Sequence, residues 1–343
     1  MKRDSAVQDQ ENHSVSRSPS APAQDWQSQL RNGYRDPNAL RLDLGLPPRA
    51  LPDNRHFPLR VPRAFVGRMG LGNESDPLLL QVMPDVSENQ IDSGYSADPV
   101  GDLQSRSAPA VLHKYQGRAL LITTGACAIH CRYCFRQHFP YAGHTVSSRR
   151  WAQALDYLAD TQDVSEVILS GGDPLMLTTP HLEAMTHDLA RLPHIRRFRI
   201  HTRMPIVLPD RVTDRLLSWL NALPWPTTVV VHANHPNEFD DSVQGALARL
   251  RTTGAHLLNQ AVLMRKINDS ADVLAALMER SFDAGVLPYY LHQLDRVAGA
   301  ARYEVDVSSL ETLMHELRLR LPGYLVPRLV REQSGQPYKL PVL

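Results

Sequence analysis

The sequence predicts an α/β architecture, a partial (β/α)6 barrel, with a doubly wound sheet as the alternative. Three observations carry it. From about residue 118 onward, short β-rich runs alternate with helical patterns. The runs are nearly continuously apolar, as parallel strands buried on both faces should be. Polar clusters fall one after another just behind those runs, where parallel α/β sheets place their sites.

The strands read ALLITT (119–124), EVILS (166–170), RFRIHT (197–202), TTVVVHA (227–233), LLNQAVL (257–263) and PYYLHQL (288–294). In WAQALDYLAD, Trp151, Leu155 and Leu158 share a helical face. Thr179 and Pro180 open the next helix as a cap followed by proline, and Leu182, Met185 and Leu189 recur behind them. Val243, Leu247 and Leu250 repeat at the same spacing before Gly254, a C-terminal stop. Ser308 and Glu311 fit a capping box ahead of Leu310, Met314 and Leu317. Right-handed crossovers turn six such units into a parallel sheet with helices outside.

Residues 1–24 are rich in Ser, Gln, Asp and Pro and read as a disordered tail. Residues 25–112, broken by prolines, read as a helical and loop region. The barrel takes 113–322, and 323–343 form a C-terminal segment. Lys plus Arg is 37 against 36 for Asp plus Glu, which argues against a nucleic-acid surface. No apolar run approaches the ~18 residues of a membrane span, and the N-terminus lacks the apolar stretch of a signal peptide. A cytoplasmic protein with reduced thiols is expected.

All three cysteines of the chain lie in CAIHCRYC, at Cys127, Cys131 and Cys134. The spacing C-x3-C-x2-C suits three irons of a [4Fe–4S] cluster, with the fourth iron left open. A structural zinc site completed by His130 or His138 is the alternative, although no second ligand knuckle exists. Behind the later strands come SGGDP, HTRMP and HANHPNE, then Asn259, Gln260, Arg265 and Lys266, and finally Asp295 and Arg296.

C-x3-C-x2-C after the first strand of a partial barrel resembles the radical S-adenosylmethionine (SAM) signature. CRYCFRQHF, LSGGDPL, RIHTRMPIVLPDRVT, NHPNE, NQAVLMRKIND and YYLHQLD together resemble the lysine 2,3-aminomutase family, from about residue 110 to the C-terminus. The nearest likeness is the short form that makes β-lysine for elongation factor P. Longer members carry further, zinc-binding cysteines, which this chain lacks.

The resemblance implies roles. Cys127, Cys131 and Cys134 would hold the cluster. Gly171, Gly172, Asp173, His232 and Gln260 would contact SAM, with Asp173 near its amino group. Lys339, in a tail with one glycine (Gly335), would attach pyridoxal phosphate (PLP) covalently, and Lys114 would lie near its phosphate. Arg136 would clamp the substrate carboxylate. Asp295 and Glu332 would hold a side-chain ammonium, since two buried carboxylates are costly without a cation. The implied reaction converts L-lysine to (R)-β-lysine through a SAM-derived radical and PLP. Implied partners are an electron donor such as flavodoxin or ferredoxin, and elongation factor P with its β-lysine ligase. A homo-oligomer stays open. So do a general lysine aminomutase unconnected to translation, a non-catalytic cluster- or SAM-binding protein, and a zinc-binding interaction module.

Overall fold

The computed structural model describes residues 25–51 and 57–343; the tail expected at 1–24 lies outside them. Among the described residues one ten-stranded sheet runs in chain order. Its strands are β1 (Arg106–Ala108), β2 (Val111–Tyr115), β3 (Arg118–Thr124), β4 (Glu166–Gly171), β5 (Arg197–Thr202), β6 (Thr227–Val231), β7 (His256–Val262), β8 (Leu287–His292), β9 (Arg328–Arg331) and β10 (Leu340–Pro341). Strands β3 to β9 are parallel, while β1, β2 and β10 pair antiparallel at the two edges.

All six strands read from the sequence are present. A seventh parallel strand, β9, joins them, so the C-terminal segment extends the sheet and is not merely appended to it. The expected boundary at 112/113 falls inside β2, because the β1–β2 hairpin pairs with β3 and continues the same sheet.

Four short helices come first: α1 (Trp26–Arg31), α2 (Pro37–Asp43), α3 (Arg63–Val66) and α4 (Pro77–Leu80). The crossover helices are α5 (Ser148–Asp160), α6 (Thr179–Leu189), α7 (Met204–Val207), α8 (Asp214–Asn221), α9 (Asp241–Arg251), α10 (Ala271–Asp283) and α11 (Val307–Arg320). Helix α6 takes Thr178 as its N-cap, one residue before the expected cap, with Pro180 in its first turn. The box expected from Ser308 and Glu311 does not form. Asp306 caps α11 instead, accepting from the Ser308 amide at 2.9 Å; an aspartate carboxylate is a strong acceptor at this position. No described helix is long and apolar enough to cross a membrane.

Burial alternates along the strands. On β5, Phe198 and Ile200 are buried in the core under the helices, while Arg199 and His201 line the opposite face. On β7, Leu257, Asn259 and Ala261 are buried, and Gln260 and Val262 face the other way. The helices cover one face with a continuous apolar core. The other face is concave and sets charged and polar groups among apolar side chains. Its curvature follows from one contact: Lys114 on β2 reaches Glu332, just past β9, at 2.8 Å. In a flat sheet, seven strand spacings would hold those edges roughly 34 Å apart. The sheet is therefore rolled into an open barrel whose edges meet through side chains.

Candidate active site

The concave face encloses a cavity of about 320 Å³. Every site residue named from the sequence lines it: Cys127, Cys131, Cys134, Gly171, Gly172, Asp173, His232, Gln260, Lys114, Arg136, Asp295, Glu332 and Lys339. Their spread over the chain, from residue 114 to 339, makes this convergence informative. Each lies on an inward position, at a strand end or in the loop behind it.

The cysteines sit on an irregular loop after β3. The N-terminal region pins that loop from outside. His130 N donates to Arg60 O (2.9 Å), Arg132 N donates to Gln81 O (2.9 Å), and Arg60 Nη1 donates to Cys127 O (3.1 Å). Buried Arg132 holds Glu88 with its Nε at 2.9 Å. The glycines press from the other side. A Cβ on Gly172 would lie 2.4 Å from Ala126 O, and one on Gly171, at φ 117°, would lie 2.6 Å from Thr124 O. Glycine here lets the β4 loop sit directly against the cysteine loop.

Burial pushes the Cys127 thiol well above its usual range and Cys134 up to about 12, with the neighbouring sulfurs adding to both. Thiols raised in this way, as Cys127 and Cys134 are, ionise when a positive centre joins them, as iron or zinc would supply. Among the described residues, no three His, Cys, Asp or Glu side chains are gathered closely enough for a single ion. Three thiols turned into one cavity suit a polynuclear cluster, in which each takes a separate iron.

Asp173 lines the cavity while its carboxylate is held by the protein. Its carboxylate accepts from Thr202 Oγ1 (2.7 Å), Leu175 N (3.0 Å), Arg203 N (2.7 Å) and Met204 N (3.2 Å). Four protein donors occupy it, so it ties the β4 and β5 loops together and builds the wall. His232 is neutral, its pKa lowered to about 3 by burial and then by Arg203. Its Nε2 lies 3.3 Å from the Tyr133 hydroxyl.

The opposite end of the cavity holds a chain of charges. Arg136 Nε donates to Asp102 Oδ2 (2.6 Å), and Arg136 Nη1 to Ser170 Oγ (3.2 Å). Lys114 Nζ lies 2.5 Å from Asp102 Oδ1 and bonds Glu332 Oε1 and Val100 O. Lys339 Nζ closes the chain on Glu332 Oε2. Burial raises the Glu332 carboxyl, but Lys339 and Lys114 override it and hold the group well below the usual carboxylate range. Among the described residues Asp295 has no such pairing. Burial, and then the charge of Glu332, push it up to about 7. The two expected ammonium ligands thus differ: Glu332 is paired with two lysines, whereas Asp295 is paired with no cation among the described residues.

Sequence reasoning did not single out Asp102, Arg203 or Arg118. Asp102 lies in a loop with no periodic signal. Arg203 stands in the quoted HTRMP cluster, yet only the fold shows that its guanidinium turns inward. Arg118 starts β3 and lines the cavity floor with Tyr115, Tyr289 and Tyr290. Its guanidinium sits 4.7 Å over the Tyr115 ring. The neighbouring Arg199 is held in a fork by Glu166 at 2.7–2.8 Å.

Residues 121–276 match the model of the radical SAM superfamily. The L-lysine 2,3-aminomutase of Escherichia coli (strain K12) is 45% identical over 324 residues, spanning 93% of this chain and 94% of that protein. The chain belongs to the lysine 2,3-aminomutase family. The Haemophilus influenzae L-lysine 2,3-aminomutase is 41% identical, spanning 92% and 95% of the two chains. The L-lysine 2,3-aminomutase of Clostridium subterminale is 34% identical over 78% of this chain but only 65% of its own length. As an aminomutase of this superfamily the chain is an isomerase that uses a [4Fe–4S] cluster and SAM.

Proposed function

We propose that the chain converts L-lysine to (R)-β-lysine, using PLP held by Lys339 together with the cluster and SAM, and that this β-lysine serves the modification of elongation factor P. One observation carries the reading: three thiols, a half-buried lysine and the Asp295 carboxylate, which no described side chain pairs, face one small cavity. When bound, the cluster and SAM would supply a hydrogen-abstracting radical, and PLP would supply an electron-accepting ring.

In this reading Cys127, Cys131 and Cys134 ligate the cluster. Lys339 is set at its post by the Glu332 carboxylate. Arg118, on the floor, offers a cation for the PLP phosphate, and Lys114, engaged by Asp102 and Glu332, acts more as a strut. Asp102 fixes Arg136 through Nε and Ser170 Oγ accepts from Nη1; a substrate carboxylate would take the Nη groups in exchange for the weaker serine contact, a geometry a guanidinium satisfies in bidentate fashion. Asp295 takes the ε-ammonium, which relieves its buried charge. The barrel wall and the N-terminal region exclude water from the reacting carbons.

Anaerobic incubation of the reconstituted protein with L-lysine, SAM, PLP and dithionite, followed by chiral product analysis, tests this. The expected product is (R)-β-lysine. Absence of any β-lysine from protein carrying both cluster and PLP would overturn the reading. The link to elongation factor P rests on likeness to the short form. It is tested by following labelled β-lysine onto elongation factor P in the presence of a β-lysine ligase.

A further inference from the structure

The β5 loop carries a buried arginine that the reaction, as described, does not use. Arg203 follows β5 directly and is 7% exposed. Its Nη1 donates to Cys131 Sγ at 2.7 Å and to the Tyr133 hydroxyl at 2.8 Å. Its Nη2 donates to Gln81 Oε1 (2.7 Å) and Glu238 Oε2 (2.9 Å). Glu238 is wholly buried and is itself fixed by the Asn234 amide at 2.9 Å and Gln81 Nε2 at 3.1 Å. The guanidinium is thus locked by three separate parts of the chain, with one prong aimed at a sulfur.

We propose that Arg203 is a positioning residue for the iron–sulfur cluster, its Nη1–H bonded to the Cys131 thiolate sulfur and setting the cluster's reduction potential, with Glu238 as the counter-charge that limits the effect. The proposal rests on Cys131 being a cluster ligand.

The physics concerns charge. Reduction adds one electron from an external one-electron donor, a flavodoxin- or ferredoxin-type protein or dithionite, and takes the cluster from its 2+ to its 1+ state. No bond is made or broken at Arg203. A fixed cation and a hydrogen bond at a ligating sulfur stabilise the more negative, reduced state, so they raise the potential. Low dielectric around the pair strengthens both effects. Glu238 opposes them, since its negative charge lies on the far side of the same guanidinium.

The test is a redox titration of the reconstituted full-length protein followed by electron paramagnetic resonance. The parent is read first. Without a signal of a reduced [4Fe–4S] cluster there, the cluster reading itself falls, separately from this proposal. Arg203→Gln should keep its iron content. At the parent's midpoint its reduced-to-oxidised ratio should fall at least tenfold, a shift of 59 mV to more negative potential for one electron. Arg203→Lys, which keeps the charge but loses the fork, should fall between. Glu238→Gln should shift the other way, to more positive potential. Midpoints unchanged in both Arg203→Gln and Glu238→Gln, or shifted with the same sign, overturn the proposal. If Arg203→Gln does not load a cluster, Glu238→Gln decides alone: a positive shift supports the assignment and no shift overturns it.

Discussion

Lys114 and Glu332, 218 residues apart in the chain, meet at 2.8 Å where the two ends of the rolled sheet approach each other. The same glutamate binds Lys339 through its other oxygen. Closing the barrel and placing the C-terminal lysine are therefore one interaction. Loss of Glu332 should be felt at the cofactor before it is felt at the substrate. Glu332→Gln should release PLP on gel filtration and trap less of it with borohydride, and Lys339→Ala should trap none. Trapped PLP on another lysine, found by peptide mass, would reassign the attachment point.

Asp102 bridges Arg136 and Lys114 in a setting that is 1% exposed. Removing one partner of a buried ion pair typically costs about 3–5 kcal/mol, because the remaining charges are left uncompensated. Asp102→Asn should lose unfolding free energy of that order in urea. In the proposed role of Arg136, the KM for lysine should also rise, roughly tenfold or more. Parent-like stability and KM would remove Asp102 from the site.

Gly172 allows no side chain, since its Cβ would press on Ala126 O one residue before Cys127. That neighbour is backbone and cannot rotate away. Gly172→Ala should therefore displace the cysteine loop. Iron bound per chain after reconstitution should drop severalfold while the far-ultraviolet circular dichroism is retained. Cys127→Ala, Cys131→Ala and Cys134→Ala should each lose most iron and all turnover, because the chain has no fourth thiolate to take the place of the one removed.

The sequence disclosed the barrel because hydrophobic runs and helical spacing are local properties. ALLITT and RFRIHT announce strands by their own residues. β9 did not, as RLVR is four residues long and follows Pro327, so its strand character comes from pairing with β8. Motifs pointed to the cysteines, Lys339 and Arg136 by residue type and position, and the fold brings them to one cavity. Asp102 and Arg203 were hidden for a different reason. An aspartate in a loop and an arginine after a strand are ordinary surface residues until the fold turns them inward. Asp173 shows the converse, a motif residue whose carboxylate the fold occupies with four donors.

Asp295 gives a stability signature with a definite sign. Its folded pKa, about 7, lies above the unfolded value near 3.9. Between those pH values the folded state holds a proton that the unfolded state has lost, so stability falls as pH rises from about 4 to about 7. Three pH units correspond to on the order of 4 kcal/mol. Asp295→Asn removes this burden. The variant without substrate should melt at a higher temperature than the parent at pH 8 and close to it at pH 4.5. Equal melting at both pH values would mean that Asp295 ionises normally.

Substrate choice separates the two carboxylates most sharply. A side-chain ammonium placed beside Asp295 supplies the missing cation, so it should bind best where the carboxylate is ionised. The parent's kcat/KM for lysine should rise with pH through about 7, and that limb should vanish in Asp295→Asn. At pH 8 the variant should lose roughly a hundredfold or more in kcat/KM, the scale of a broken buried charge pair. Norleucine, which lacks the ammonium, should be a poor substrate for the parent, and Asp295→Asn should treat it no worse. Because Glu332 is already neutralised by Lys114 and Lys339, Glu332→Gln should depress lysine and norleucine turnover alike through lost PLP. If norleucine matches lysine in the parent, or if Asp295→Asn keeps near-parent kinetics with lysine, the carboxylate does not read the ammonium and the choice of lysine must be made elsewhere in the cavity.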